Sequence, residues 1–450
     1  MRCFTVITAF TLSWSIPTAP LHAADPSTRT TAPGRGLAQD SAPRAPVGLH
    51  GTGALSLPQL LEEARRANPE LLASRKRWEA AQAKVSLSTA LPAPKIGIEW
   101  EEIPRGTIKV NQATLMYQLI QSIPFPGKLS ARRAVAVKEA QVAAMAFKQA
   151  EWEIASQVKA VYYDLFLLDR EREIQEEQVA WIRQAAEAVQ AKYATGTATQ
   201  AELLRAQAEL LSASNTLSIL GHKRQAMEAH LNHLLNRHVH APVGSLEMIS
   251  LTPISYTPDE LMVIAQQRQP ELLAFQFTAE RAEAAVKLSK RELLPDLETM
   301  FELRDPAMGP VGPWDLSLAV AIPFWFWTKW QYGVKIAIRD RQTAHAAFEA
   351  MHNEIARRIH EHWHEAMAAY GTATLAHDGL IPLSKQAVAS AMAAYQSGRG
   401  SFLDLVEAWR ALKEQERTYN QQLVSFEQHV VMLEQASGMA LREDHMGGTS

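Results

Sequence analysis

The sequence predicts a mainly α-helical chain that adds a few strands to a transmembrane β-barrel, built from one unit used twice. Three observations predict it. Between Lys128 and Ala194 there is neither Gly nor Pro, and the stretch is rich in Ala, Glu, Gln, Arg and Leu. A single helix there would reach about 100 Å at ~1.5 Å per residue, deeper than any core a globular domain of this size builds. Short runs alternate apolar and polar residues in the manner of membrane strands. Finally, three separate anchors recur at nearly constant spacing.

At the N-terminus, Met1-Arg2 supplies a positive charge, Cys3 to Ile16 is mainly apolar, and Ala23-Ala24 offers small residues for cleavage. Residues 1–24 therefore read as a secretory signal peptide. Cys3 is the only cysteine, so the mature chain would have no thiol, disulfide or cysteine-bound metal, and no lipid-bearing cysteine at the cut. Residues 25–50 are rich in Pro, Ala, Thr, Arg and Gly and hold too little apolar surface to order themselves, which predicts a disordered leader. Residues 441–450 read as a disordered tail. The formal net charge is -3 with both signs mixed, so bulk electrostatics favour no nucleic-acid partner. The body of the chain has no run of about 18 apolar residues, so no transmembrane helix is expected.

The duplication organises what lies between. Asn68-Pro-Glu-Leu-Leu-Ala73 recurs as Gln269-Pro-Glu-Leu-Leu-Ala274, Ser122-Ile-Pro-Phe125 as Ala321-Ile-Pro-Phe324, and Tyr193-Ala-Thr-Gly196 as Tyr395-Gln-Ser-Gly398, at offsets of 201, 199 and 202. Three anchors in register mark two repeats, 51–245 and 246–440. Each has a medium helix (Pro58 to about Leu91; Pro258 to about Leu294), two strands, a long helix, and a returning medium helix (Thr197–Leu235; Gly400–Ser437). Stacked end to end, the medium helices match the long one in length. In the second long tract Gly371, Gly379 and Pro382 should kink or interrupt the helix.

The strands carry the clearest local signal. Ile96, Ile98 and Trp100 oppose Lys95, Glu99 and Glu101. Leu115, Tyr117 and Leu119 form the least clean run. Leu297, Thr299, Phe301 and Leu303 oppose Asp296, Glu298, Glu302 and Arg304. Trp314, Leu316, Leu318, Val320 and Ile322 oppose Asp315, Ser317, Ala319 and Ala321. Beyond the last run stand Phe324, Trp325, Phe326 and Trp327, rings suited to a membrane interface; the plainer alternative is a core cluster in a soluble sandwich. Four strands cannot close a membrane barrel, and open edges are not tolerated in lipid. Three copies, giving twelve strands over a long α-helical barrel, are the economical solution.

This pattern resembles the TolC-like outer-membrane efflux proteins across residues 50–440, and within them most resembles the heavy-metal branch. The resemblance rests on the paired Pro-Glu-Leu sites, the Pro-Phe turns leaving each hairpin and the Tyr-x-x-Gly turns. It implies a homotrimer in the outer membrane and periplasm of a Gram-negative bacterium. A periplasmic adaptor and an inner-membrane pump of the RND type would be its partners, with outer-membrane lipid around the barrel. It places the turns at Gly196 and Gly398 at the periplasmic tip, where the adaptor docks. It matches Asp404, Glu407 and Glu202 to acidic positions at the aperture and lets Tyr395 bond to the acidic position to latch it. The basic gating residue expected two places after Gly398 is Gly400 here, beside Arg399. Carboxylates facing one another across a pore concentrate cations; as a plainer reading, acids are favoured in a first helical turn in any case.

Residues His360-Glu361-His362-Trp363-His364 satisfy H-E-x-x-H, with His360 and His364 on one helical face. A zinc protease would also need a third ligand and a cleft; weak metal contact by lumen-facing imidazoles is a further alternative, and a plain solvated face is the preferred reading for the motif and for the group His222, His230, His233, His238 and His240. No triad, phosphate loop or paired-carboxylate site is visible, so no enzyme activity, catalytic residue, bound metal or cofactor is expected. The expected function is a passive exit duct for heavy-metal cations, gated at its tip. Export of drugs or proteins by the same fold, and a soluble coiled-coil scaffold, are the rival readings.

Overall fold

The computed structural model describes residues 55–101, 114–304, 313–322, 326–397 and 399–442. The expected signal peptide and leader, most of the expected tail, the hairpin loops, and Phe324, Trp325 and Gly398 lie outside the described residues.

The first half runs α1 (Leu57–Ala67), α2 (Pro69–Leu87), β1 (Lys95–Glu101), β2 (Thr114–Ile123), α3 (Lys128–Ala194) and α4 (Gln200–Leu234). The second runs α5 (Pro258–Arg268), α6 (Pro270–Arg291), β3 (Asp296–Arg304), β4 (Trp314–Ala321), a single turn α7 (Phe326–Thr328), α8 (Lys335–Leu375), α9 (Ile381–Gln396) and α10 (Phe402–Ser437). Among the described residues no helix is long and apolar enough to cross a membrane.

α3 spans 67 residues as expected. The medium helix that opens each half is instead broken in two, and the break explains the Pro-Glu-Leu anchor. A residue before proline is pushed out of the helical region, and Asn68 is extended at φ -68°, ψ 123°. Its side chain then accepts from the amides of Glu70 and Leu71, capping α2, and donates to the Leu234 carbonyl at 3.0 Å. Gln269 does the same for the second half, accepting from the Leu272 amide at 2.9 Å and donating to the Gln435 carbonyl at 3.3 Å. Both side chains are buried. Each anchor thus turns the chain and pins it to the end of the returning helix.

The second long tract differs from the first. Gly371 lies within α8 without interrupting it. A π-helical turn, Ala376–Leu380, contains Gly379 and stands just before Pro382. Proline offers no N–H and crowds the carbonyl four residues back, and a widened turn relieves both. A second π-helical segment, Lys329–Val334, joins α7 to α8.

The strands form one antiparallel sheet in the order β1-β2-β3-β4. Its register lines up Ile96, Leu119, Phe301 and Leu316 in one row and Ile98, Tyr117, Leu303 and Trp314 in the next. All eight side chains are exposed. The opposite face carries Gln118, which donates to Glu302 at 2.9 Å and to Glu99, and an Arg304–Asp315 ion pair of 2.8 Å. Among the described residues the outer edges of β1 and β4 pair with no strand.

The sheet meets the helices at Ile123-Pro-Phe-Pro-Gly-Lys128. Gly127 takes φ +93°, and a Cβ there would lie 2.5 Å from the Arg291 guanidinium. Arg291 donates to the Gly127 carbonyl at 2.7 Å, while Asp296 accepts from Lys128 and from the Phe125 amide at 2.7 and 2.8 Å. Residues of the second repeat therefore clamp the turn of the first.

The main core lies where α1, α3, α4 and α10 meet, around Leu60, Val158, Leu165, Leu231 and Leu423. α2 runs along the first part of α3, stacking Trp78 on Phe147 at 5.8 Å. α4 runs along the last part, where Gln175 donates to the Ala213 carbonyl at 3.0 Å. The stacking of medium helices beside the long one is therefore as expected. Leu441 and Arg442, which the sequence assigns to the tail, are held to α10: the Leu441 amide donates to Glu434 at 2.9 Å and Arg442 to Glu427 at 2.6 Å.

Candidate functional site

The turns from α3 to α4 and from α9 to α10, one in each half, are built to one pattern. The helix α3 stops at its C-cap Thr195, Gly196 takes φ +74°, and the Gly196 and Thr197 amides donate to the carbonyls of Tyr193 and Lys192 at 3.0 and 2.9 Å. This left-handed closure needs a residue without a Cβ and satisfies carbonyls the helix end leaves open. Thr199 then caps α4 in a reciprocal box with Glu202. After α9 the Arg399 amide donates to the Ala394 carbonyl at 3.0 Å, and Ser401 caps α10 in the same kind of box with Asp404.

Glu202 and Asp404 thus occupy equivalent places, three residues into α4 and α10. The amide and hydroxyl of Thr199 hold the Glu202 carboxyl below the usual carboxylate range. The Ser401 hydroxyl, then its amide, does the same for Asp404. Both acids are exposed, as is Glu407 on the next turn of α10. The arrangement provides fixed, ionised carboxylates at the helix starts, and the caps fix their direction.

The two turns are joined by a residue that sequence reasoning missed. Lys192 donates to the Tyr395 hydroxyl at 2.9 Å, and its ammonium lies 4.1 Å from the centre of that ring. Glu202, the partner that the resemblance suggests for Tyr395, has its carboxylate on Thr199 at 2.7 Å. One signal did exist: Lys192 precedes Tyr193 in the first Tyr-x-x-Gly turn, and its counterpart in the second is Ala394. Gly400 shows why no basic side chain stands there. A Cβ would lie 3.0 Å from the Ala394 Cβ and 3.2 Å from backbone atoms of Ala394 and Tyr395. Arg399 is exposed and donates to the Ser397 hydroxyl at 3.2 Å.

Above the acids, α3, α4 and α10 are tied together. Trp181 stacks on Trp409 at 5.2 Å, Arg410 pairs with Glu209, and Lys413 pairs with Glu177 at 2.5 Å and Glu416 at 2.8 Å. This brace holds the acidic turns on a rigid base.

At the other end, Trp327 in α7 is exposed, and the Phe326 side chain lies outside the described residues along with Phe324 and Trp325. In the H-E-x-x-H stretch, His360 and His364 are exposed and Glu361 is paired with Arg357. His222, His230, His233, His238 and His240 are all exposed.

Comparison with known proteins gives consistent matches. The sequence profile of a family described as outer membrane efflux protein matches residues 60–237 and 261–439. The chain is 22% identical over 370 residues to the cobalt-zinc-cadmium resistance protein CzcC of Cupriavidus metallidurans, covering 80% of this chain and 84% of that protein. The crystal structure of CusC, described for conformational changes accompanying folding and transmembrane channel formation, superposes with a TM-score of 0.74 at 16% identity, covering 85% of this chain and 92% of that one. The outer membrane protein VceC of Vibrio cholerae superposes at 0.72 and 17% identity, covering 86% and 97%.

Proposed function

The chain belongs to the outer membrane efflux protein family, and from that premise we propose that it is the exit duct of a tripartite system exporting heavy-metal cations. Three copies would close twelve strands in the outer membrane. The tip turns at Gly196 and Gly398 would meet a periplasmic adaptor fed by an inner-membrane pump of the RND type.

The observation that carries this reading is the sheet. Its apolar face, including the two four-residue rows, is bare, its opposite face is polar, and the outer edges of β1 and β4 pair with no described strand. In water such a face would aggregate; in lipid the face is satisfied but the edges are not. Only closure with further copies satisfies both. The fixed carboxylates of Glu202 and Asp404, with Glu407 beside them, supply the negative charge that a cation path uses. Tyr395, held by Lys192, is the closing contact of that aperture.

The metal assignment is supported by the likeness to a protein named for cobalt, zinc and cadmium resistance. Deleting the gene and measuring tolerance to a panel of metals and organic drugs tests it. Lost tolerance to one or more divalent metals, restored by the intact gene, is the expected outcome. Unchanged tolerance to every metal together with lost drug tolerance overturns the metal assignment and leaves the channel. A soluble monomer, in place of a heat-resistant trimer in the outer-membrane fraction, overturns both.

A further inference from the structure

The seam between α8 and α10 is an apolar ladder with two histidines in it. Along α8, Ile355, Ile359, Ala366, Ala369 and Ala373 are buried. Ile355 and Ile359 pack with Leu433 and Ala436, and Ala366 and Ala369 with Phe426 and Val430. Their spacing alternates four and three residues, the step of a helix pair, and the one position it skips is His362. Along α10 the buried step runs Phe426, Val430 and Leu433, and His429 stands beside Val430 at the margin of that stripe, level with His362. A polar side chain at such a seam weakens the packing unless something engages it.

The two imidazoles face each other with ring centres 5.6 Å apart. Glu365, one turn beyond His362, brings Oε2 to 3.4 Å from His362 Nδ1 and 3.2 Å from His429 Nδ1. The three ligand atoms all lie within 4.8 Å of one another. His362 Nδ1 is buried and makes no hydrogen bond. For bonds of about 2.0–2.1 Å to a tetrahedral Zn²⁺, neighbouring ligand atoms stand about 3.3–3.4 Å apart. Two edges of the triangle, at 3.4 and 3.2 Å, are already within about 0.2 Å of that length.

We infer that His362, Glu365 and His429 bind one divalent cation of the Zn²⁺ class and so staple α8 to α10. Two neutral imidazoles and one carboxylate suit Zn²⁺, Co²⁺, Ni²⁺ or Cu²⁺, whereas Ca²⁺ and Mg²⁺ take oxygen ligands. Side-chain exposures of 24% for His362, 25% for His429 and 49% for Glu365 leave one side of the cluster open to water. The fourth position is therefore a water molecule, and the ion exchanges. The site shares a helix with the H-E-x-x-H stretch but uses none of its three signature residues, and it stands whatever the channel exports.

Untagged full-length protein in detergent, stripped with a chelator, is titrated with Zn²⁺ by calorimetry and with Co²⁺ by visible absorption. One saturating equivalent per chain and the intense bands of four-coordinate Co²⁺ are expected. Affinity should fall about tenfold or more in His362→Ala, His429→Ala and Glu365→Gln, and stay unchanged in the double variant His360→Ala/His364→Ala. Since alanine on the seam can disturb folding by itself, Glu365→Gln decides. Its side chain is half exposed, and Zn²⁺ should raise the thermal midpoint of the wild type and not of this variant. No saturable binding by the wild type, or wild-type binding by Glu365→Gln, overturns the inference.

Discussion

Lys192 and Tyr395 meet across the two tip turns, ammonium to hydroxyl at 2.9 Å and ammonium to ring centre at 4.1 Å. The residues sit near the ends of α3 and α9, so the contact joins the two halves of one chain at the turns that follow those helices. An exposed contact of this kind contributes about 0.5–1 kcal/mol. On the proposed gating role that scale is suitable, since a docking partner can overcome it.

Lys192→Ala should therefore raise the open fraction of the channel about two- to fivefold, the factor corresponding to that energy. Tyr395→Phe keeps the ring and should have the smaller effect. Single-channel recording in planar bilayers reads both. An open fraction unchanged in Lys192→Ala would remove the contact from any gating role.

Asp404→Asn combined with Glu407→Gln should reduce preference for cations over anions, seen as a reversal potential shifted toward zero under a salt gradient. The shift should shrink as ionic strength rises and the Debye length falls below about 8 Å. Glu202→Gln should act in the same direction but also loosen the cap on α4.

Asn68→Ala removes a helix cap and leaves the Leu234 carbonyl without its donor inside the core. The expected loss is about 1–3 kcal/mol, read as a lower midpoint in thermal or denaturant unfolding. Gln269→Ala should behave alike, because its two contacts repeat those of Asn68. Asn68→Gln and Gln269→Asn, which keep the chemistry but shift its reach, should fall between.

Glu427 should make stability depend on pH. It is buried, accepts from Arg442 at 2.6 Å and from the Tyr163 hydroxyl at 3.3 Å, and burial pushes its carboxyl up to about 7 even against Arg442. The folded chain therefore keeps this proton where the unfolded chain releases it. The resulting stability is fully present below the ordinary value of 4.5 and is lost as pH rises to about 7. Glu427→Gln should match the wild type near the acid end and exceed it above that window, by at most about 3 kcal/mol. A wild-type midpoint that runs parallel to the variant's across this range would contradict the assignment.

Much of this was legible in the sequence because its signals are periodic or punctual. The limits of α3 follow from Gly127 and Gly196, both with positive φ, and the exposed apolar rows follow from the alternation in β1, β3 and β4. The break at Asn68 was signalled by Pro69, yet the helical pattern on either side masks it; only the bond to Leu234 shows why the break is kept. Lys192 and Tyr395 lie 203 residues apart, and no local pattern joins them. The same holds for His362 and His429, whose seam positions emerge only once α8 is laid against α10. The H-E-x-x-H spelling drew attention to His360 and His364, one helical face away.

The margins of β1 and β4 that pair with no described strand also bear on how the proposed duct is made. On the proposed threefold ring, correct closure needs three chains to collide, whereas a stray extended peptide can cap a margin in a single encounter. Ring formation then gains more steeply from local crowding of like chains than mispairing does. Channel yield should accordingly depend on how densely newly exported copies arrive at one patch of bilayer, and dilute synthesis should leave a larger share of chains trapped with foreign partners.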